Sequence, residues 1–468
     1  MKIAVIGAGP AGLTCAMKLA EAGEDVDIYE KDDVAGGMTK TISLWGQSVD
    51  IGPHRFFSMD EHVNAFWKGQ VEDRYVMVDR LTRIYHDHKF FLYPVQAMDA
   101  LRNLGILEAS ACVLSYLKAC FAKKGEEKSF EEWVSHRFGD RLYSIFFKTY
   151  SERLWGIPCT ELDADFARQR IKGLDMMEVI KSMFSTKNRA KHKTLVEQFA
   201  YPLHGAGQPY EDMAAKFIDR AGHIFYRHPV QGIKVEKGRC VGIVDKDGGV
   251  VPYTHVVSTA PFTDMIKSIH GLPTEVYRAA DSLVYRNTTI VYMKVAKKDL
   301  FKDNWLYIHD TSVTFGRMTN FRNWSPGLMG DQEETILALE YWSYDDDDLW
   351  KADDAQMVEL ATDEVARTGL VDKADVLDGH VLRLHRSYPV YSSGYQEKLS
   401  ILQEAADGTQ GVSFIGRNGS FKYNNQDHSI LMGLLAAENI LEGRKKHDLW
   451  TINTDHDYQE GGKAMKKD

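Results

Sequence analysis

The first thirty residues constrain the fold of this chain more than any other stretch. A short apolar run, KIAVI at 2–6, is typical of a buried strand, and a G-x-G-x-x-G pattern follows it at 7–12. Apolar residues at helical spacing continue to about residue 22, and a second strand-like run, DVDIYE, ends in Glu30. Strand, glycine turn, helix and strand in this order predict a βαβ dinucleotide-binding unit.

Each position of the glycine pattern has a physical role in such a unit. Gly7 permits the tight turn, Gly9 lets a pyrophosphate approach the backbone, and Gly12 lets helix and strand pack closely. The free N–H groups and partial positive charge at the helix start attract phosphate. Glu30 lies 18 residues beyond Gly12, where a carboxylate can accept bonds from ribose hydroxyls and repels the extra phosphate of NADP.

A second glycine pair bears on the choice between FAD and NAD. Gly36 and Gly37 follow shortly after Glu30 in EKDDVAGGM and allow the backbone to approach a second part of a long cofactor. This arrangement resembles the extended fingerprint of FAD-binding proteins of the glutathione-reductase type, and NAD is the alternative. The residues of this first unit expected to contact the cofactor are Gly7, Gly9, Pro10, Ala11, Gly12, Glu30, Lys31, Gly37 and Met38.

Four further segments carry a more specific signal. They are DIGPHRFFS at 50–58, YSERLWGIP at 150–158, FAYPLHGAGQPYEDMA at 199–214 and GRNGSFKYNNQDHSILMG at 416–433. Together with the first unit they resemble the UDP-galactopyranose-mutase-like and protoporphyrinogen-oxidase-like flavoproteins of the amine oxidase superfamily. The resemblance runs from residue 1 to about residue 440, nearly the whole chain.

The resemblance implies that these segments meet at the flavin. Gly52 would allow close approach to a planar ring, and His54 would contact the flavin or the substrate, unless it is an ordinary hydrogen-bonded core histidine. A helix beginning near Asp427–Ser429 would direct its positive end at the flavin, and the backbone of Val230 would hold adenine. The further cofactor-binding residues are therefore Gly52, Pro53, His54, Val230, Gly416, Arg417, Asp427, His428 and Ser429.

The pattern of elements predicts an α/β fold. We expect a Rossmann-like FAD-binding domain of the glutathione-reductase type, interrupted by a helical cap and by a mixed-sheet substrate region. The FAD-binding domain would combine 1–60, 200–262 and 405–445. The cap would take 61–199, mostly helical by its apolar spacing, and the substrate region 263–404, with a polar tail at 446–468.

Composition excludes several classes of partner. The net charge of −10 gives no general attraction to nucleic acid or anionic lipid, so a small-molecule substrate is expected. The five cysteines are scattered and show no metal-ligand spacing, which favours a reducing cytoplasm and no metal site. The oligomeric state is not specified by the sequence.

One apolar stretch, ILEASACVLSYLKACFA at 106–122, raises the question of a membrane contact. It carries Glu108 and Lys118 and is short for a bilayer span, and the N-terminus shows no signal peptide. We interpret the stretch as a helix of the cap and expect no integral membrane segment. A peripheral membrane contact is the alternative.

Two reactions are compatible with the resemblance. The first is oxidation, in which a polar, nucleotide- or sugar-linked substrate passes a hydride to the flavin, and the sequence favours this FAD-dependent oxidoreductase. The second is a sugar-nucleotide mutase, in which reduced FAD acts as nucleophile on a UDP-sugar and no net redox change occurs. The segment GPHRFFS lacks the second histidine of the GPH-x-x-H pattern usual in the mutases, which favours the first reaction.

Arginine and tyrosine residues provide the candidates for the substrate site. Guanidinium groups match the geometry of a diphosphate, although a surface ion pair is the commoner role for any single arginine. Tyrosines can line a sugar pocket or pack in the core. The candidate catalytic residues are His54, Arg317 and Tyr388, and the candidate substrate-binding residues are Trp155, Arg170, Arg317, Arg322, Arg386, Tyr391 and Tyr423.

Overall fold

A five-stranded parallel sheet organises the N-terminal nucleotide-binding unit in the computed structural model, which describes residues 1–93, 95, 97–122, 125–170, 198–220 and 222–453. Its strand order is β19-β13-β1-β2-β9, and all neighbours are parallel. The strands are β1 (Lys2–Ile6), β2 (Asp25–Tyr29), β9 (His223–Phe225), β13 (His255–Ser258) and β19 (Val412–Phe414). The parallel sheet confirms the predicted Rossmann-like fold, and its strands come from three separate stretches of chain.

Two helices cross one another against this sheet. The helix Pro10–Glu21 follows β1, and the long C-terminal helix Gln426–Leu441 packs directly on it. A Cβ on Gly433 would lie 2.6 Å from the carbonyl O of Ala11, so the two helix backbones touch at this point. A third helix, Gln208–Asp219, packs on the first helix and closes the core of the unit.

A small antiparallel sheet extends the unit. Its strands are β10 (Gly232–Glu236), β11 (Arg239–Val244) and β12 (Val250–Pro252). The turn KDGG at 246–249 joins β11 to β12, as its composition predicts, and Asp245 accepts hydrogen bonds from the N–H groups of Asp247 and Gly249.

A seven-stranded mixed sheet forms the second layer of the molecule, in the order β18-β14-β17-β16-β15-β6-β7. Only β6 and β15 run parallel; the other neighbours are antiparallel. The strands are β6 (Thr82–His86), β7 (Lys89–Leu92), β14 (Tyr285–Val295), β15 (Trp305–Ile308), β16 (Arg317–Asn320), β17 (Thr335–Ser343) and β18 (Val376–Pro389). The predicted mixed sheet is therefore present in this part of the chain.

Over its described residues, the region 61–199 is less helical than its apolar spacing predicts. Four strands lie within it or at its end: β5 (Tyr75–Asp79), β6, β7 and β8 (Gln198–Pro202). Runs such as YVMVD and TRIYH are short and rich in aromatic and β-branched residues, and they pair with strands more than a hundred residues away, whereas KFFL joins TRIYH in a local hairpin. The helices of the region are Glu61–Val71, Ala97–Leu104, Ile106–Phe121, Phe130–Phe138, Asp140–Tyr143, Thr149–Trp155 and Ala164–Arg170.

The remaining elements connect these layers. A hairpin of β3 (Thr41–Leu44) and β4 (Gln47–Asp50) leads into the segment 50–58. The other helices are Phe262–Ser268, Thr274–Ser282, Pro326–Met329, Asp348–Lys351, Asp354–Arg367, Tyr395–Asp407 and Gly416–Gly419. Within the described ranges, no helix has both the length and the apolar character needed to cross a membrane.

The start of the C-terminal tail packs against the body of the protein. The Lys422 ammonium donates to the carbonyl groups of Trp450 and Ile452, and the Trp450 ring stacks on Phe262 at 5.5 Å. The polar tail predicted from residue 446 is therefore attached up to residue 453, and the rest of it lies outside the described residues. The division of the chain into domains at residues 60, 200, 262, 405 and 445 remains a prediction.

Candidate functional site

The glycine turn after β1 has the geometry that a dinucleotide-binding loop requires. Gly7 has φ of +99° and donates its N–H to the carbonyl O of Tyr29 at 2.8 Å, so the turn is tied to the end of β2. A side chain on Gly12 would collide with the carbonyl O of Gly7. The helix therefore starts in direct contact with the turn, with Pro10 in its first turn, where a missing N–H costs nothing.

The backbones of Gly9 and Gly37 approach each other above this turn. A Cβ on Gly37 would lie 3.1 Å from the Cα of Gly9, and the N–H of Gly36 donates to the carbonyl O of Ala8 at 2.8 Å. Met38 continues the same short turn. The segment around Gly9 and the segment around Gly37 thus form one continuous backbone surface, which we call the cradle.

Glu30 lies at the carboxyl end of β2 and is buried beside this cradle. Its carboxylate accepts hydrogen bonds from the N–H groups of Ala8 at 2.7 Å and Asp32 at 3.0 Å. A carboxylate offers about four acceptor positions, so two remain for ribose hydroxyls. The N–H of His228 donates to the carbonyl O of Glu30 at 2.8 Å, which brings the strand-exit segment with Val230 to the same edge. Lys31, in contrast, is exposed.

Buried Asp50 joins two of the motif segments. Its carboxylate accepts from the Thr41 hydroxyl at 2.7 Å, from the Ala206 N–H at 3.0 Å and from the Tyr201 hydroxyl. Burial raises the pKa of Asp50 to about 7, although each of these donors favours the ionised form. The loop at 199–214 is thereby fixed against the start of DIGPHRFFS.

The next residues of that segment form a tight turn around His54. Gly52 has φ of +97°, and the His54 Nε2 atom lies 2.8 Å from the carbonyl O of Ile51. Burial lowers the pKa of His54 to about 4, and the charges of Arg417 and Arg317 lower it further. His54 is therefore neutral at pH 7, with Pro53 preceding it in the turn.

Gln426, which is not among the candidates predicted from the sequence, fixes this turn to the C-terminal helix. Its amide Nε2 donates to the carbonyl groups of His54 at 3.0 Å and Arg55 at 3.4 Å, and its Oε1 accepts from the Tyr210 hydroxyl at 2.8 Å. Nothing in the local sequence around Gln426 predicts a hydrogen bond to a residue 372 positions away. The sequence indicates only that Gln426 lies in the first turn of a helix.

The C-terminal helix begins slightly earlier than predicted. Asn425 is its N-cap and donates its N–H to His428 Nδ1 at 3.2 Å, so Asp427 and Ser429 lie buried in the first turn of the helix. The preceding strand β19 leads into Gly416, which would place a Cβ 3.0 Å from that of Ala11. The segments 7–12 and 416–429 therefore lie side by side.

Arg417 extends from this segment and lies against two tyrosine rings that stack on each other. Its guanidinium lies 4.4 Å from the centroid of Tyr388 and 4.5 Å from that of Tyr423. Its Nε donates to the carbonyl O of Ser387 at 2.9 Å, whereas its Nη2 is buried with no partner among the described residues. Oδ1 of Asp427 is likewise buried without a hydrogen bond among the described residues and lies 3.4 Å from His428 Nδ1.

Arg317 and Glu340 form a largely buried ion pair beside Tyr388, the same tyrosine that Arg417 contacts. Arg317 Nε donates to Glu340 Oε1 at 2.6 Å, its Nη2 donates to Oε2, and Nη2 also lies 3.2 Å from the Tyr388 hydroxyl. Arg317 and Tyr388 are among the candidates predicted from the sequence, and Glu340 is not. Burial raises the pKa of Tyr388 to about 12, so its hydroxyl stays protonated and is a donor.

Aromatic side chains from separate elements surround these arginines. Trp155 stacks on Tyr391 at 5.8 Å and meets Tyr388 edge-on at 6.1 Å, and Tyr388 stacks on Tyr423 at 5.4 Å. The Tyr391 hydroxyl accepts from the Tyr423 N–H at 2.6 Å. We call this group the aromatic cluster; it consists of Tyr150, Trp155, Trp342, Tyr388, Tyr391 and Tyr423.

The structure does not bring every candidate arginine to this cluster. The Arg322 guanidinium donates to the carbonyl groups of Gln332 and Glu334, beyond the far end of β16. Arg386 pairs with Asp264 on the outside of the cluster. Arg170 ends the helix Ala164–Arg170, and its side chain lies outside the described residues.

The features of the cradle fit a long, flat, anionic cofactor. The glycine turn leaves backbone N–H groups at a helix start for a pyrophosphate, Glu30 retains acceptor positions for ribose, and the unpartnered Nη2 of Arg417 lies at the other end. Among the described residues no group of three or more His, Cys, Asp or Glu side chains could hold a metal ion.

Comparisons with known proteins agree with this architecture. The profile of the flavin-containing amine oxidoreductases matches residues 10–441. A UDP-galactopyranose mutase of Klebsiella pneumoniae is 28% identical over 179 residues, which is 36% of this chain and 44% of that protein. A 4,4'-diapophytoene desaturase of Staphylococcus aureus is 36% identical over 86 residues, 18% of this chain and 17% of that protein. These alignments span less than half of each relative.

Solved structures resemble the chain over nearly its full length. The structure of a reduced UDP-galactopyranose mutase has a TM-score of 0.85 at 22% identity and covers 97% of this chain and 98% of its own. Putrescine oxidase bound to putrescine has a TM-score of 0.64 at 14% identity, covering 94% and 99%. At these identities the likeness shows a shared fold. With the family profile spanning residues 10–441, the chain belongs to the flavin-containing amine oxidoreductases and is an enzyme of that superfamily with FAD as its cofactor.

Proposed function

We propose that this enzyme acts on a nucleoside-diphosphate sugar and interconverts two ring forms of the sugar without net oxidation. The observation that carries the proposal is the position of Arg317. Glu340 aligns its guanidinium, and Tyr388 bonds to it, inside a cluster of aromatic rings that also holds the second guanidinium, that of Arg417. Planar aromatic faces suit a sugar or a base, and guanidinium groups suit a diphosphate.

The charge balance supports an anionic ligand. The charge of Arg317 is compensated by Glu340, but within the described ranges no carboxylate pairs with Arg417, whose Nε and Nη1 donate to carbonyl groups. Arg417 is partly buried, with its Nη2 fully so, and such a charge without a counter-ion is unfavourable unless a ligand supplies one. Neutral His54 adds no further positive charge at pH 7.

The cofactor-binding residues are proposed on the same geometric grounds. FAD, once bound, supplies the reactive centre, a nucleophile when reduced and a hydride acceptor when oxidised. The segments at 7–12, 30–38, 52–54 and 416–429 lie together along one edge of the parallel sheet and would hold it. Arg417 Nη2 would donate to the flavin or to the substrate phosphate, and Tyr388 would donate to a substrate oxygen.

The oxidoreductase that the sequence favours is the second candidate. The observation in its favour is Phe57, which occupies the place of the second histidine in the mutase-like GPH-x-x-H pattern. An apolar ring there removes one group that could move a proton near the reacting carbon. Likeness to putrescine oxidase is compatible with this candidate at the level of the fold.

Incubation with UDP-sugars separates the two candidates. The purified protein is offered UDP-galactose and related UDP-sugars with and without dithionite, and the nucleotide sugars are separated by chromatography. We expect a new isomer of equal mass only when FAD is reduced. An oxidised sugar, formed together with bleaching of the oxidised flavin, would establish the oxidoreductase instead.

Binding of UDP tests the role of Arg317 separately. Arg317→Ala should weaken UDP binding by at least about tenfold, since a guanidinium–phosphate contact is worth about 1.5–3 kcal/mol. The matched control is Arg383→Ala, because Arg383 pairs with Asp354 at the surface. Equal binding by Arg317→Ala and the control would remove Arg317 from the substrate site.

A further inference from the structure

The helix Ile106–Phe121 exposes an apolar face to solvent. Its exposed apolar side chains share one side of the helix and are Ile106 (86%), Leu107 (89%), Val113 (37%), Leu114 (66%), Leu117 (43%) and Phe121 (88%). Together they expose on the order of 700 Å². Monomeric proteins rarely leave so large an apolar patch uncovered, so this face is an interaction surface.

The opposite face of the same helix packs against the rest of the protein. Cys112 and Tyr116 are buried against neighbouring helices, and a Cβ on Gly139 would lie 2.6 Å from the Tyr116 N atom. The Arg141 N–H also donates to the Ser115 hydroxyl at 3.1 Å. The helix is therefore anchored in the fold, and its exposed face cannot be buried by rolling the helix inward.

The spacing of the exposed residues matches helix-to-helix packing. Leu107, Leu114 and Phe121 recur at seven-residue intervals, and Ser110 and Leu117 form the second series. This is the heptad pattern of a seam between two helices. Lys118 is the one exposed charged side chain along it, and the nearby Glu108 is neutralised by a two-point ion pair with Arg141.

We propose that this face pairs with the same face of a second copy of the chain, with the two helices antiparallel and crossing at Leu114. In that register Leu107 of one copy meets Phe121 of the other, and Leu117 meets the small Ala111. Apolar side chains thus meet apolar ones at each of these steps of a two-fold interface. Two such faces bury an area within the range of about 1,200–2,000 Å² that specific interfaces need.

A second copy fits this face better than a lipid surface does. Helices that lie on membranes carry many Lys and Arg residues beside the apolar stripe, whereas Lys118 is the exposed cation within this helix, and the net charge of the chain is −10. Neither observation favours an anionic bilayer.

The test is the state of association of the holoenzyme, measured by sedimentation velocity over a wide range of concentration. Wild type should be a dimer. Leu114→Glu places two carboxylates face to face and should raise the dissociation constant by about a hundredfold or more. Leu377→Glu, at an exposed leucine on β18, is the matched control and should stay dimeric. Both variants should retain FAD, which shows that the fold is intact.

Disulfide formation tests the register. In a Cys120→Ser background the other native cysteines are buried, so Leu114→Cys should crosslink two copies on oxidation. In wild type the two Cys120 side chains would lie about 18 Å apart in an antiparallel pair and should not crosslink. Efficient crosslinking through Cys120 would show parallel packing and overturn the proposed register.

Two results would overturn the proposal as a whole. One is a wild-type monomer at all concentrations. The other is a Leu114→Glu variant that remains dimeric. If wild type is monomeric and co-sediments with phosphatidylglycerol vesicles while Leu114→Glu does not, the face binds a lipid surface. None of these outcomes depends on which reaction the enzyme catalyses.

Discussion

Glu340 holds Arg317 in a two-point ion pair that is almost completely buried, with 2% and 12% of the two side chains exposed. The two residues face each other across the neighbouring strands β16 and β17. Directly paired positions of an antiparallel ladder set the separation of their side chains, so the sheet itself aligns the guanidinium. The Tyr388 hydroxyl adds a third contact from β18.

Glu340→Gln should destabilise the protein and disable the site. The amide leaves the buried Arg317 charge uncompensated, and breaking one partner of such a pair costs about 3 kcal/mol. Chemical denaturation would measure this loss of stability. Weaker UDP binding would show that the Arg317 guanidinium is no longer held in position. Glu334→Gln is the control, because Glu334 pairs with Lys294 at the surface and should change stability by less than about 0.5 kcal/mol. Equal stabilities of the two variants would contradict this account.

His54 should make stability fall as the pH is lowered. Its pKa is about 4 in the folded protein and 6.5 as the ordinary value, so the unfolded chain takes up the proton first. The contribution of His54 to the free energy of unfolding is fully present above pH 6.5. It decreases as the pH falls to about 4, by up to about 3 kcal/mol in total. The difference in unfolding free energy between wild type and His54→Gln should therefore shrink across this window. Parallel curves for the two proteins would show that His54 titrates normally.

Asp50 should make the stability of the protein fall as the pH is raised, the opposite of the effect of His54. Its pKa is about 7 when folded and 3.8 ordinarily, so the folded protein keeps a proton that the unfolded chain has already released. Its contribution is greatest below pH 4 and declines as the pH rises to about 7, by up to about 4 kcal/mol. Comparison of wild type with Asp50→Asn by denaturation across this range would reveal the decline. A difference that grows with pH would refute the raised pKa.

Gly433→Ala should separate the two central helices and release FAD. The new methyl group would lie 2.6 Å from the carbonyl O of Ala11, next to the cradle, and such overpacking costs about 1–3 kcal/mol. Flavin content and unfolding free energy should both fall. Gly69→Ala is the control: it lies within the helix Glu61–Val71 with no atom within 4 Å of the new Cβ, and should stabilise the protein by about 0.5–1 kcal/mol. Full flavin content in Gly433→Ala would argue against the close approach.

The sequence predicts those features that depend on neighbours in the chain. The turn at Gly7–Gly12 and the acid at Glu30 follow from local spacing, and the structure shows the turn, the helix and the carboxylate together. The clamp of Gln426 on His54 and the pairing of Glu340 with Arg317 depend on contacts that no local pattern encodes. The interpretation of 61–199 as mostly helical is wrong at 75–92, because the short strands β5 and β6 pair with distant strands and β7 then joins β6 in a hairpin.

The candidate arginines show the same limit. Arg317, Arg322 and Arg386 are equivalent by residue type, and the sequence offers no means of telling a carboxylate partner from a carbonyl one. In the structure Arg317 pairs with Glu340 within the aromatic cluster. Arg322 donates to backbone carbonyl groups, and Arg386 pairs with Asp264. Their different positions follow from the strand register of the mixed sheet, which is a property of the whole fold.

The most direct test of the proposed reaction counts product molecules for each reduction of the cofactor. The enzyme is reduced once under anaerobic conditions, the excess reductant is removed, and the UDP-sugar is added. A mutase consumes no electrons, so many molecules of isomerised sugar should form while FAD stays reduced. Product that never exceeds one molecule per FAD, or that requires oxidised flavin, would contradict the proposed function.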